Sequence, residues 1–140
     1  MRIVLADNRS RVRFALGALL EEQPWLRIVG EAASGRNLLV QVGAACPDLV
    51  LLSWELPGLA EMDLLPALRR SCPELRVIVL SARLEAQQTA LAAGADAFVS
   101  KMAPPEQLLA AISAARRSEP EAEAPFSRLK SEEEDDVEKV

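Results

Sequence analysis

Apolar residues along this chain fall into two alternating kinds of stretch. Short unbroken runs occupy residues 2–6 (R-I-V-L-A), 26–30 (L-R-I-V-G), 47–53 (P-D-L-V-L-L-S), 76–81 (R-V-I-V-L-S) and 97–100 (A-F-V-S). Runs with no polar alternation read as strands buried on both faces of a sheet. Between them, apolar residues recur at helical spacing. Val12, Leu16, Leu19 and Leu20 share one face up to about Glu22, and Leu38, Val42 and Ala45 another after Ser34-Gly35. A third helix is predicted around 61–71, a short Ala-rich one over 84–93, and a last one from Pro104-Pro105-Glu106 to Arg116-Arg117, carrying Leu108, Leu109 and Ile112. Breakers separate the segments: Pro24, Pro47, Pro57-Gly58, Pro73 and Gly94, the last placed as a C′ glycine. Pro66 is costly inside a helix but tolerated in its first turn, so the third helix is expected to start late, with Asp63 as a cap, or to kink. Asp7 or Asn8 is placed to cap the first helix.

Five strands alternating with five helices predict an α/β, doubly wound, parallel five-stranded sheet with helices on both faces. Ligands of such sheets bind outside the carboxyl ends of the strands. Those ends deliver Asp7-Asn8, Ser53, Ser81 and Lys101. A carboxylate, an amide, two hydroxyls and an ammonium would then face one crevice. Taken singly, Asp7, Asn8 and Ser81 also fit ordinary caps and turns, and Lys101 a solvated lysine.

Charge divides the chain in two. Residues 118–140 hold nine acids and three bases, whereas residues 1–117 balance to +1. The first part reads as one domain and the second as an acidic, disordered tail by composition, with Phe126 and Leu129 its only large apolar anchors besides two valines. The near-neutral body offers no basic stripe for nucleic acid. No apolar run approaches the roughly 18 residues that span a bilayer, and the start is too soon acidic for a signal peptide. A cytoplasmic location follows as the expectation. Cys46 and Cys72 lack a metal-type pattern and are expected as free thiols of a reducing compartment. The chain has no histidine, which removes imidazole catalysis and imidazole metal sites. No Gly-rich phosphate loop follows any strand.

Several motifs together resemble the receiver domain of bacterial two-component response regulators, most closely the LuxR/NarL type. They are Ile3-Val4-Leu5-Ala6-Asp7-Asn8, Gly30-Glu31-Ala32, Pro47-Asp48-Leu49-Val50-Leu51-Leu52, Leu56-Pro57-Gly58, Ile78-Val79-Leu80-Ser81-Ala82, Gly94 to Lys101 and Pro105-Glu106-Gln107-Leu108. The resemblance runs to about residue 116. It implies an aspartate phosphoacceptor ending the third strand, two acids after the first strand holding Mg²⁺ with a backbone carbonyl, and a Thr/Ser and a Lys on the phosphoryl oxygens. Carried over, Asp7 matches the first acid, Ser81 the hydroxyl, Lys101 the lysine, Phe98 an aromatic switch position and Glu55 the carbonyl donor. Two matches fail: Asn8 stands for the second acid and Ser53 for the acceptor.

Those departures decide the expected chemistry. Mg²⁺ needs hard, charged oxygen ligands. With Asp7 alone, offset by Lys101, no useful Mg²⁺ affinity is expected unless Glu55 turns its side chain inward. A serine hydroxyl needs a base to become a nucleophile, and a normal Asp is too weak a base for it. The expected resident of the crevice is an Asp7–Lys101 ion pair with Ser53 beside it. The expected function is an atypical, non-enzymatic receiver that signals by phosphorylation-independent protein–protein interaction. The alternative is a Mg²⁺-dependent phosphorelay receiver using a non-standard acceptor, Glu55 or Asp7. The resemblance also implies a partner face built by the fourth helix, fifth strand and fifth helix, with a homodimer there as an open alternative. Direct DNA binding is not expected beside so acidic a tail.

Overall fold

A computed structural model describes residues 1–59 and 63–117 of the chain. Five strands and five helices alternate: β1 Arg2–Ala6, α1 Ser10–Glu21, β2 Arg27–Ala32, α2 Gly35–Ala45, β3 Leu49–Ser53, α3 Leu64–Ser71, β4 Arg76–Ser81, α4 Ala86–Ala92, β5 Ala97–Ser100 and α5 Pro105–Arg117. The strands form one parallel sheet in the order β2-β1-β3-β4-β5, as the alternation predicts. The expected tail, residues 118–140, lies outside the described residues.

The strands carry no polar alternation because each face of the sheet is covered. Ile3, Leu5, Leu49, Leu51, Ile78 and Leu80 pack with Leu20 of α1 and Leu108 and Ile112 of α5. Their neighbours Val4, Ala6, Val50, Leu52, Val77 and Val79 pack with Leu38 and Val42 of α2, Leu64, Leu65 and Leu68 of α3 and Ala90 of α4. Successive strand residues point to opposite faces, so an unbroken apolar run supplies both cores. At about 1.5–3 kcal/mol for each large side chain taken out of water, these two layers hold the scaffold. β3 lies between β1 and β4, and all five of its residues are buried.

Local chemistry explains most boundaries. The Ser34 hydroxyl accepts from the Asn37 amide at 3.2 Å and caps α2. α3 does start late: Leu64 is its first residue, which leaves Pro66 in the first turn, where its missing N–H breaks no intrahelical bond. Asp63 occupies the cap position but makes no side-chain cap bond and sits in the left-handed region at φ 48°. Gly94 follows α4 at φ +112°, as a C′ glycine should. β2 starts and ends later than its apolar run, because Glu31 and Ala32 continue the ladder opposite Leu5 and Ala6.

The cysteines correct the expectation of free thiols. Cys46 and Cys72 are joined in a disulfide with their Cα atoms 5.8 Å apart. They occupy the C-cap positions of α2 and α3. Packing these helices side by side on the same face of the sheet brings both C-terminal ends together, which a spacing of 26 residues in the sequence does not reveal.

Candidate functional site

Three strands that are neighbours in the sheet, β1, β3 and β4, end at one rim, and the chain after β5 joins them. Asp7 follows β1, Ser53 ends β3, Ser81 ends β4 and Lys101 follows β5. Asp7, Ser53 and Ser81 are all buried, at 2%, 1% and 0% exposure, a polar floor beneath an otherwise apolar sheet.

Lys101 is the hub. Its Nζ donates to Asp7 Oδ2 at 3.1 Å, to Ser53 Oγ at 2.8 Å and, at a longer 3.4 Å, to Glu55 Oε1. Its three donors are thereby matched by three oxygens. Asp7 Oδ1 accepts from the Arg9 backbone N–H at 2.9 Å, with the Arg9 guanidinium at 3.4 Å. Arg13 donates through Nη1 to the Asp7 carbonyl at 2.6 Å and through Nε to Glu31 at 2.8 Å. The turn after β1 is therefore fixed from both sides.

Glu55 turns its side chain inward. Ser81 Oγ donates to its Oε2 at 2.7 Å, and Arg83 Nε lies 3.8 Å from the same oxygen. The Arg83 amide in turn donates to Ser81 Oγ at 3.0 Å. The Glu55 side chain keeps 39% of its surface exposed, so it closes the mouth of the crevice rather than joining its floor.

Both carboxyls ionise more readily than usual. Burial of Asp7 opposes ionisation, but the bonds from the Arg9 amide, Lys101 and the Arg9 side chain, with the Lys101 charge, outweigh it and lower its pKa. Burial acts likewise against Glu55 and is outweighed by the Ser81 bond, the Lys101 charge and bond, and the Arg83 charge.

Of the residues expected at the site, Asp7, Ser53, Glu55, Ser81 and Lys101 meet in one hydrogen-bonded cluster. Asn8 does not: it is exposed, while Arg9 and Arg13, not Asn8, bond to Asp7. Phe98 is partly buried in β5 and packs against the core on the α2–α4 side. Reading the sequence did not place Arg9, Arg13 or Arg83 at this site. For Arg9 and Arg83 a signal existed, since each stands two residues beyond a strand-end oxygen, where a backbone N–H returns to that side chain.

With this geometry in place, comparison with known proteins decides the family. The family model described as the response regulator receiver domain matches residues 3–113. The chain belongs to the response regulator receiver family. This receiver is 37% identical over 114 residues to the transcriptional activator protein ExaE of Pseudomonas putida, a match covering 80% of this chain and 53% of that protein. It is 32% identical over 119 residues to the nitrate/nitrite response regulator protein NarL of Escherichia coli K12, covering 84% and 55%. The chain thus spans about half the length of the curated relatives it matches. Among solved structures, the signal receiver domain of the putative response regulator NarL from Mycobacterium tuberculosis superposes with a TM-score of 0.73 at 27% identity, covering 84% of this chain and 96% of that one. The isolated REC domain of RcsB from Salmonella enterica serovar Typhimurium gives 0.76 at 22%, covering 85% and 90%, a likeness of fold. Within this receiver, Ser53 ends the central strand β3.

Proposed function

We propose that this receiver is an atypical module of two-component signalling that works without phosphorylation, through protein–protein contact. The observation that carries the reading is the double engagement of Glu55. Its carboxylate accepts from Ser81 Oγ at 2.7 Å and from Lys101 Nζ at 3.4 Å, the two groups that the family resemblance assigns to phosphoryl oxygens. An internal anion thus stands in for the phosphoryl group and holds the hydroxyl and the ammonium in place. Phe98, in the switch position, would then sit in a single arrangement.

The same arrangement disfavours Mg²⁺. The ammonium of Lys101 lies between the two carboxylates and within 3.4 Å of each, so a dication would have to displace it. Among the described residues no group of three or more His, Cys, Asp or Glu is placed to hold a metal. Ser53 brings no charge, and the one carboxylate oxygen its hydroxyl donates to, Glu55 Oε1 at 3.5 Å, is itself engaged by Lys101. These points support a receiver without a metal cofactor and without catalysis of its own.

The partner face is proposed where large apolar side chains stand in water. Leu84, Leu91 and Met102 are 65%, 41% and 80% exposed; Leu91 lies in α4, Leu84 in the loop before it and Met102 in the loop between β5 and α5. A protein partner, or a second copy of the chain, would cover them. Direct nucleic-acid binding is not part of the proposal, nor is a membrane; the proposed setting is the cytoplasm, and no described helix is long and apolar enough to cross a bilayer.

A second reading keeps a specific observation on its side: Glu55 does face the crevice and could itself accept a phosphoryl group in a Mg²⁺-dependent relay. Incubation with acetyl phosphate and Mg²⁺, followed by intact mass, separates the two. No added phosphoryl group is expected. Gain of one, mapped to Glu55, would establish the second reading in place of the first.

A further inference from the structure

We propose that Cys46 and Cys72 form a reversible thiol–disulfide site that takes low-molecular-weight thiols and governs how tightly α2 and α3 are clasped. The two residues terminate neighbouring helices with Cα atoms 5.8 Å apart, inside the range a bridge needs without moving the backbone. They lie on the rim opposite Asp7, Ser53 and Lys101, since each precedes the start of a strand, β3 or β4. At the other end α2 is tied to the loop after β3 by the Gly35 amide, which donates to the Pro57 carbonyl at 2.8 Å. The bridge therefore closes a loop spanning 26 positions that contains both Ser53 and Glu55.

The two residues differ in exposure. Cys46 is exposed, whereas Cys72 is 3% exposed. Charge near Cys46 is mixed: the Arg2 guanidinium donates to its carbonyl at 3.1 Å, and the Asp48 carboxylate accepts from the Arg2 amide at 2.7 Å. An incoming thiolate reaches Cys46 Sγ, forms a new S–S bond there and sends the electron pair of the old bond to Cys72 Sγ. A second small thiol then attacks the mixed disulfide, releases the small-molecule disulfide and leaves Cys46 and Cys72 as thiols. Before that second step Cys72 Sγ, held beside Cys46, can return its electron pair to Cys46 Sγ, expel the small thiolate and reclose the bridge. Cys46 also holds a left-handed backbone at φ 41°, a conformation that suits glycine, which makes Cys46→Gly a variant that removes the thiol and relaxes the cap.

The test uses the full chain in glutathione buffers of graded ratio, with alkylation, peptide mass and thermal melting. In oxidised glutathione neither cysteine should alkylate; in excess reduced glutathione both should, and the trapped intermediate should carry glutathione on Cys46 alone. Reduction should lower the melting temperature by about 10 °C, as expected for opening a loop of this size, and raise amide exchange in α3 at least tenfold. Cys46→Gly should show no response to reductant in either measurement. Two free thiols after equilibration with oxidised glutathione would overturn the proposal, as would a bridge whose reduction left both melting and α3 exchange unchanged.

Discussion

Replacing Lys101 by Met keeps most of the side-chain stem and removes the charge. Three bonds vanish with it, to Asp7, Ser53 and Glu55. Stranding one member of a buried pair costs about 3–5 kcal/mol when nothing else compensates. Here Asp7 Oδ1 keeps the Arg9 amide at 2.9 Å and the Arg9 side chain at 3.4 Å, so the expected loss is lower, about 2–4 kcal/mol. The sign with pH follows from the lowered pKa of Asp7. A carboxyl whose folded value is depressed stabilises the fold above its unfolded value, and that contribution disappears as pH falls through the folded value. Lys101→Met removes part of the depression. Its deficit relative to the parent should therefore be full at neutral pH and should shrink once the pH drops below about 4, the ordinary carboxylate value. Urea unfolding of parent, Lys101→Met, Asp7→Asn and the double variant gives the coupling directly, expected above about 1 kcal/mol. The matching cycle with Glu55→Gln should return about 0.2–1 kcal/mol, because the Glu55 side chain is 39% exposed. A Lys101–Asp7 coupling below about 0.5 kcal/mol at neutral pH, within the usual additivity error, would refute the claim that this pair organises the crevice.

Two substitutions probe chemistry and backbone in turn. Ser53→Asp combined with Asn8→Asp returns carboxylates to the two positions where the family resemblance implies them; acquisition of Mg²⁺ binding by calorimetry and of one phosphoryl group from acetyl phosphate is expected, and continued silence would count against missing charge as the cause. Gly94→Ala should cost about 1–2 kcal/mol by thermal unfolding, since φ +112° strains any side chain and the new Cβ would lie 3.2 Å from Arg69 Nη1; a neutral result would mean that the turn relaxes.

Most of the scaffold is legible in the sequence because burial on both faces leaves a plain signature. Leu49 to Leu52 cannot alternate, and they do not. The late start of α3 is legible too, for Pro66 tolerates only the first turn. The end of β2 is not, because Glu31 is exposed and polar and pairs only through its backbone with Leu5. At the site, strand ends name Asp7, Ser53, Ser81 and Lys101. The direction in which Glu55 points is decided by Ser81, Lys101 and Arg83, residues 26 or more positions away. No local pattern carries that information. The disulfide is hidden for the same reason: it depends on where two helices end in space.

The central position of β3 has a consequence for substitution. Its cohesion comes from Leu49 to Leu52 and from the ladders to β1 and β4, while the residue at its tip contributes one hydroxyl. Chemistry and architecture are thus carried by different atoms of the same strand. The tip residue can therefore be exchanged, altering the chemistry of the crevice, while the platform that carries it stays intact.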